Sequence, residues 1–209
     1  MSATSKLVSF VCHLDPDALP AAARDQAVRC VLDLVGVAIA GTPTPMARIS
    51  ERFAHEQFAP GKATVIGSGE PLSVTGATWV NGAYASALDM DDGHRMAMGH
   101  PGASVIPAAL AIAENTGASG KAFLAALVAG YEVAVRASAA RVPWYKDKMY
   151  STGIWGVFGA TVAAGKLLVP PHADGVRGRA ENVVVAIAVE IEGIHLGTVL
   201  AEVGWMKLP

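Results

Sequence analysis

The sequence predicts an all-α protein, a bundle of closely packed helices with at most one short strand-like segment. Apolar residues recur at three- and four-residue steps along most of the chain, which is the period of one helix face. Alanine and glycine are abundant whereas aromatic residues make up only 6%, and small side chains allow neighbouring helices to approach closely. The exception is residues 63–66, an extended piece between Gly61 and Gly67.

The first half of the chain predicts three helices. Residues 21–40 form the first, because Pro20 suits the start of a helix and Gly41 its end. A rigid Thr-Pro-Thr-Pro break separates it from a second helix over residues 46–58. A third helix is predicted over residues 72–88, and a polar loop follows it. The apolar face of the first helix is formed by Ala27, Val28, Val31, Leu32, Val35 and Ile39.

The second half predicts further helices. Residues 104–115 predict an alanine-rich helix with Pro107 in its first turn, where the missing N–H is harmless. Ser119 is typical of the N-cap of a long helix that reaches Arg141. Helices over residues 152–168 and 181–200 complete the chain, with a polar loop at 170–179. Glycines at 153, 156 and 159 predict a close contact between two helices rather than a dinucleotide site.

Composition limits the partners. The chain is 52% hydrophobic and 16% charged, so we expect part of its surface to be covered by another subunit or by a missing segment. The net charge of −2 without a basic stripe argues against nucleic acid. Two cysteines without framework spacing fit a reducing, cytoplasmic compartment. No signal peptide is expected, and the charged residues that interrupt the apolar stretch 183–201 argue against a membrane span.

The chemistry is concentrated in the loop at residues 89–101. It holds three carboxylates and two imidazoles, far more than the rest of this charge-poor chain leads one to expect. Imidazole titrates near neutrality and a carboxylate can orient it, so this loop suits an acid/base pair. Arg95 would hold an anionic substrate. Asn81 lies two turns before Asp89 and is expected to face the same pocket. The candidate substrate-binding residues are Asn81, His94 and Arg95.

Other interpretations of this region remain open. Asp91 to Gly93 also suits an ordinary turn, and His100 to Gly102 also suits the entry to a helix. The spacing of a calcium loop is absent, because glycine falls at the fifth position and no glutamate stands at the twelfth. A transition-metal site from Asp89, His94 and His100 is an alternative, but we predict no metal. Glu132 and Arg136, four residues apart, predict an ion pair within a helix.

Six segments of the chain, in this order and spacing, resemble the MmgE/PrpD family, which includes 2-methylcitrate dehydratase, cis-aconitate decarboxylase and iminodisuccinate epimerase. Together they cover most of residues 5–169. The segments are LDLVGVAIAG at 32–41, ATVIGSG at 63–69, NGAYASALDMDDGH at 81–94, HPGASVIPAALAIAE at 100–114, GYEVAVRAS at 130–138 and GVFGATVAAGKLL at 156–168.

The resemblance implies a helical domain with a dimer interface, chemistry without a metal or cofactor, and small di- or tricarboxylate substrates. Family members use an aspartate and a histidine of this loop, which correspond to Asp89 and His100. The loop is one residue longer than in some relatives, so Asp92 is a second catalytic candidate. Tyr150 stands where the family commonly has a histidine, which disfavours decarboxylation, and Lys207 corresponds to a family lysine.

Family enzymes are longer and carry a second, α+β domain, so we predict that residues 1–209 form one helical domain corresponding to the N-terminal half of the family's helical domain. Our first hypothesis is a dehydratase-type lyase in which His100 moves a proton beside a carboxylate, Asp89 or Asp92 orients it, and Tyr150 assists the leaving hydroxyl. The alternatives are an epimerase or isomerase of an amino- or imino-dicarboxylate, and a non-catalytic helical dimerisation fragment.

Overall fold

The computed structural model describes residues 3–141 and 151–168, and this part of the chain is mostly helical, which confirms the predicted class. The predicted loop at 170–179, the predicted helix at 181–200, Tyr150 and Lys207 lie outside the described residues. The elements are α1 (Ala3–His13), α2 (Ala21–Gly41), α3 (Pro45–Gln57), β1 (Pro60–Thr64), β2 (Pro71–Leu72), α4 (Val74–Ser86), α5 (Pro101–Thr116), α6 (Gly120–Arg141) and α7 (Ser151–Leu168).

Helices α5, α6 and α7 pack against one another and form the centre of the fold. Their apolar side chains, among them Ile106, Leu127 and Trp155, are almost completely buried. The α6–α7 contact depends on two glycines, because a Cβ on Gly159 would lie 2.6 Å from the carbonyl oxygen of Gly130. The glycine spacing therefore predicted a close helix contact correctly, although Gly153 of the same series is exposed.

Side-chain caps set the starts of several helices. The Thr44 hydroxyl accepts a hydrogen bond from the backbone N–H of Ala47 at 3.2 Å, and Ser73 accepts one from Gly76. Ser119 accepts one from Ala122 at 3.2 Å, which confirms it as the N-cap of α6. Each cap satisfies an N–H that has no partner inside its own helix.

Two predicted boundaries were wrong near the polar loop. Helix α5 begins at Pro101 rather than at residue 104, because a proline is already arranged for the first helical position. Pro107 therefore lies inside the helix and not in its first turn. Helix α4 ends at Ser86 rather than at residue 88, and Asp89 follows it with a left-handed backbone, at φ 52°.

The extended piece predicted near residues 63–66 belongs to a two-stranded antiparallel hairpin. Strand β1 covers Pro60–Thr64 and pairs with β2, Pro71–Leu72, so a second short strand accompanies the one that was predicted. Val65 and Ile66 follow β1 and are buried against the helices. The hairpin is thus a small attachment to a helical core.

Helix α6 is long and apolar enough to span a membrane by length and composition alone, over Gly120–Ala140. Half of that window is buried inside the fold, and a core helix passes the same test. Helices α2 and α3 together also meet this criterion of length and composition, but only as a pair bent by 94°. These properties are weak evidence for a membrane, and they agree with the packing of α6 against α5 and α7.

Candidate active site

His100 occupies the junction between the polar loop and α5, where it is the N-cap residue. Its backbone N–H donates to the Thr152 hydroxyl at 2.9 Å, which ties the junction to the start of α7. The imidazole Nδ1 lies 3.1 Å from the carbonyl oxygen of Asp91. Because a carbonyl can only accept a hydrogen bond, Nδ1 carries the hydrogen and Nε2 of the neutral ring has a free lone pair.

Two carboxylates flank this imidazole on its two nitrogen atoms. Asp91 Oδ1 lies 3.5 Å from Nδ1, and Asp89 Oδ1 lies 3.7 Å from Nε2. The two acids differ in their surroundings, since the side chain of Asp89 is 81% exposed and that of Asp91 only 3%. The structure therefore brings the predicted pair of Asp89 and His100 together and adds Asp91 to it.

Asp91 combines burial with close contact to other charged groups. Its Oδ2 is buried and has no hydrogen-bond partner among the residues that the structure describes. Burial raises the pKa of the Asp91 carboxyl, and the neighbouring charges of Asp92 and Asp89 act in the same direction, whereas His100 opposes them. A buried acid in contact with a histidine is an arrangement typical of acid/base sites.

Asp92, the second predicted catalytic carboxylate, is held by other groups. Its Oδ1 accepts from the backbone N–H of Gly102 at 2.7 Å, and its Oδ2 accepts from the Tyr131 hydroxyl at 2.8 Å. Burial, and then the Asp92 charge, raises the pKa of Tyr131, so the phenol stays protonated and donates. A Cβ on Gly102 would lie 2.5 Å from Asp92 Oδ1, so this position requires glycine. The structure thus gives Asp92 a role in fastening the loop to α5 and α6.

A cleft of about 370 Å³ opens beside His100. Helix α4 contributes one face to it, because Trp79, Gly82, Ala83 and Ser86 follow one another at helical spacing. The starts of three other helices close the remaining sides. They contribute Met46 from α3, Ala103 and Ser104 from α5, and Thr152 and Gly153 from α7, while Asp91 and His100 form the polar end.

The predicted substrate-binding residues His94 and Arg95 lie in the same loop but do not line this cleft. Nδ1 of His94 accepts from the backbone N–H of Ala97 at 3.2 Å, and the backbone N–H of His94 donates to the carbonyl of Gly99 at 2.9 Å. The carbonyl of Ala97 accepts hydrogen bonds from Ser138 and Ser151, which holds the loop against α6 and α7. Arg95 is exposed.

Asn81 does not face the pocket as predicted. Its side chain is completely buried, with Oδ1 accepting from the N–H of Ile66 at 2.8 Å and Nδ2 donating to the carbonyl of Thr64 at 2.9 Å. The amide replaces the hydrogen bonds that the chain loses where β1 ends, because Asn offers one donor group and one acceptor.

The predicted ion pair within α6 is present, since Arg136 contacts Glu132 at 2.6 Å.

Sequence reasoning missed Asp91 as a functional residue. Residues 87–89 form a turn and residue 91 a bend, so no regular period indicates whether Asp91 or Asp92 faces His100. Asp91 also replaces His94 in the candidate metal set, because one donor atom each from Asp89, Asp91 and His100 lies within 4.8 Å of the others. These three are the described residues that could hold a divalent transition metal.

The chain has a helical fold with a histidine held between two acids at a cleft. Comparison with known proteins identifies the class to which it belongs. The N-terminal domain of the MmgE/PrpD family matches residues 5–174, and the chain belongs to that family. Among curated proteins it is 28% identical over 177 residues to the cis-aconitate decarboxylase-like protein oryM of Aspergillus oryzae. That alignment covers 79% of this chain and 36% of the relative, so the chain spans about a third of that protein's length.

Proposed function

We propose that this chain provides the proton-transfer site of a lyase that eliminates water from a small di- or tricarboxylate. The observation that carries the proposal is the imidazole of His100, whose Nδ1 is occupied by Asp91 and whose Nε2 remains able to take a proton. Family membership supports the same chemistry, because the related enzymes act on small carboxylic acids. No metal or cofactor is part of the proposal.

In the proposed reaction, Nε2 of His100 removes a proton from the carbon next to a substrate carboxylate. The electron pair of that C–H bond forms the new double bond while the bond from the neighbouring carbon to its hydroxyl breaks. The hydroxyl leaves with a proton, from Tyr150 in our hypothesis, so the products are an unsaturated acid and water. Asp91 stabilises the imidazolium that forms, because its carboxylate lies 3.5 Å from Nδ1.

The start of α7 offers a place for the substrate carboxylate. Thr152 and Gly153 line the cleft in the first turn of that helix, where the N–H groups have no partner within the helix. A helix N-terminus carries a partial positive charge and favours an anion. A helix start beside His100 supports the proposal, because the elimination requires a bound carboxylate.

An epimerase is the second candidate, and the presence of a second acid beside His100 favours it. Burial raises the pKa of the Asp91 carboxyl, so Asp91 holds a proton more readily than an ordinary aspartate does. Removal of a proton by one group and delivery by another would invert a carbon centre without loss of water. The third hypothesis, a non-catalytic dimerisation fragment, predicts neither reaction.

The predicted homodimer and cytoplasmic location remain part of the proposal. Val28, Leu32 and Ile39 form an exposed apolar stripe along α2, at the helical spacing of a face that contacts another helix. We propose this stripe as the dimer interface. Replacement of Leu32 by Asp should then give monomers in sedimentation velocity, and a dimer that persists would place the interface elsewhere.

Proton NMR in heavy water tests the proposed reaction directly. The purified chain is incubated with citrate, 2-methylcitrate, cis-aconitate and iminodisuccinate, and the α-proton and vinyl signals are followed. Growth of a vinyl signal identifies the lyase, whereas loss of an α-proton signal alone identifies the epimerase. The signals should change in wild type and in the control His13→Ala, an exposed histidine of α1, but not in His100→Ala.

Two outcomes would overturn the proposal. Turnover that survives in His100→Ala would show that His100 is not the base. A folded protein that shows no exchange and no thermal stabilisation with any acid would favour the dimerisation fragment, because a ligand that binds only the folded state must raise its stability.

A further inference from the structure

We propose that Ser104 and Thr152 form a pair of hydroxyl donors that binds a carboxylate group of the substrate beside His100. The inference rests on the proposed function, because it concerns the cleft in which His100 would act. It goes further by assigning substrate binding to two side chains that no motif in the sequence singled out.

Ser104 and Thr152 are neighbours across the contact between α5 and α7, and both line the cleft. A Cβ on Gly156 would lie 2.5 Å from Ser104 Oγ and 3.5 Å from Thr152 Cγ2, so the two side chains flank the same point of α7. Ser104 also lies one helical turn beyond His100 in α5. The two hydroxyl residues are therefore close to each other and to the imidazole.

The hydroxyl of Thr152 has an unused donor. Its oxygen accepts the backbone N–H of His100 at 2.9 Å, and its O–H has no acceptor within residues 3–141 and 151–168. A hydroxyl both donates and accepts, so this bond to His100 leaves the hydrogen available to a ligand. Thr152 is only 7% exposed, so an acceptor in the cleft would replace a contact that bulk water reaches poorly.

Ser104 offers a second donor of the same kind. Its side chain is half-buried, and its hydroxyl donates to no group in the described part of the chain. A serine within a helix often bonds to the carbonyl four residues before it, here that of His100, but this bond is not formed. The third hydroxyl residue of the cleft, Ser86, is exposed and belongs to α4.

The charges of the cleft explain why hydroxyl donors would be needed. No lysine or arginine lines it within residues 3–141 and 151–168, so a carboxylate cannot find a cationic side chain there apart from a protonated His100. A carboxylate accepts several hydrogen bonds, and bonds to an ionised group are stronger than those between neutral groups. Two hydroxyls at the start of α7, where the helix end already favours an anion, fit that requirement.

Two glycines make room for this pair. A Cβ on Gly99 would lie 2.5 Å from Thr152 Oγ1, and a Cβ on Gly156 would lie equally close to Ser104 Oγ. A side chain at either position would displace one of the hydroxyls. The close approach of the backbone to both hydroxyls therefore fixes their positions beside His100.

Isothermal titration with tricarballylate tests the pair without requiring turnover. This acid has three carboxylates and no hydroxyl, so the proposed elimination cannot consume it. Ser104→Ala removes a hydroxyl that donates to none of the described residues, so the variant should fold as wild type does. Its Kd should rise about tenfold or more, the loss expected for a hydrogen bond to a charged group.

Variants of α7 complete the design. Thr152→Val should raise Kd as Ser104→Ala does, whereas Thr152→Ser keeps the hydroxyl and should retain most of the affinity. Thr161→Val is the matched control, because that hydroxyl donates to the carbonyl of Val157 and the residue does not line the cleft. Ser104→Ala carries the test if Thr152→Val does not fold.

The outcomes separate this inference from the proposed reaction. Wild type that does not bind tricarballylate, or Ser104→Ala that binds it as tightly as wild type, would overturn the hydroxyl pair. Proton transfer by wild type that Ser104→Ala leaves unchanged in KM would keep the reaction and reject the pair. Binding that depends on Ser104 and Thr152, without proton transfer from any acid, would keep the pair and reject the reaction.

Discussion

Asp91 places one carboxylate oxygen 3.5 Å from Nδ1 of His100 and buries the other without a hydrogen-bond partner among the described residues. An unsatisfied buried oxygen lowers stability, since such a group gives up its contacts with water. Such groups are rare in folded proteins, and a catalytic role is one of the explanations for them. The relationship between these two side chains therefore distinguishes the site from an ordinary loop.

Asp91→Asn should change how stability depends on pH. The pKa of Asp91 is raised in the folded protein, so the stability that this group contributes is present at low pH and is lost as pH rises through the folded-state pKa. Asparagine does not titrate. The free energy of unfolding of Asp91→Asn minus that of wild type should therefore increase from acid to neutral pH.

Urea denaturation at a series of pH values measures this difference. Asp25→Asn, on the exposed side of α2, serves as the control in which one solvent-facing carboxylate is removed. If the free energy of unfolding of Asp91→Asn minus that of wild type instead decreases with rising pH, the attraction to His100 outweighs the cost of burial.

Asn81→Leu should destabilise the fold rather than impair substrate binding alone. The leucine keeps the volume but leaves the N–H of Ile66 and the carbonyl of Thr64 without partners, at about 1–3 kcal/mol for each buried group. Ser86→Ala, on the exposed end of α4, should stay within about 0.5 kcal/mol of wild type. Unchanged stability together with lost acid binding would restore the predicted substrate role of Asn81.

Two glycine substitutions in α7 should have opposite effects. Gly159→Ala places a Cβ 2.6 Å from the Gly130 carbonyl oxygen, so overpacking should cost about 1–3 kcal/mol. Gly165→Ala meets no atom within 4 Å and should stabilise the helix by about 1 kcal/mol, because alanine is the better helix former. Thermal unfolding of the two variants checks the pair, and equal shifts would contradict the α6–α7 contact.

Tyr131 and Asp92 should be coupled energetically. Their hydrogen bond of 2.8 Å is lost in Tyr131→Phe and weakened in Asp92→Asn, and the double variant should lose less than the sum of the two. We expect a coupling of about 0.5–3 kcal/mol in urea denaturation. Single effects that add within about 0.3 kcal/mol would show that the bond does not fasten the loop.

Local patterns were sufficient for most of the helices. The predicted spans of α2, α6 and α7 agree with the structure within a residue or two, and the cap at Ser119 and the Glu132–Arg136 pair are present. These features depend on residues three or four positions apart, so neighbouring sequence contains the necessary information. The start of α5 was missed although His100 and Pro101 offered the signal of a helix entry.

The sequence by itself determined the helical class, the family resemblance and the loop in which His100 meets an aspartate. Only the tertiary structure decided how the acids and Asn81 are used. Asp91 faces His100 while Asp92 bonds to Gly102 and Tyr131, and the amide of Asn81 serves Thr64 and Ile66. The physical reason is that these partners lie 9 to 39 residues away along the chain, so their proximity depends on how whole helices pack and not on any local period.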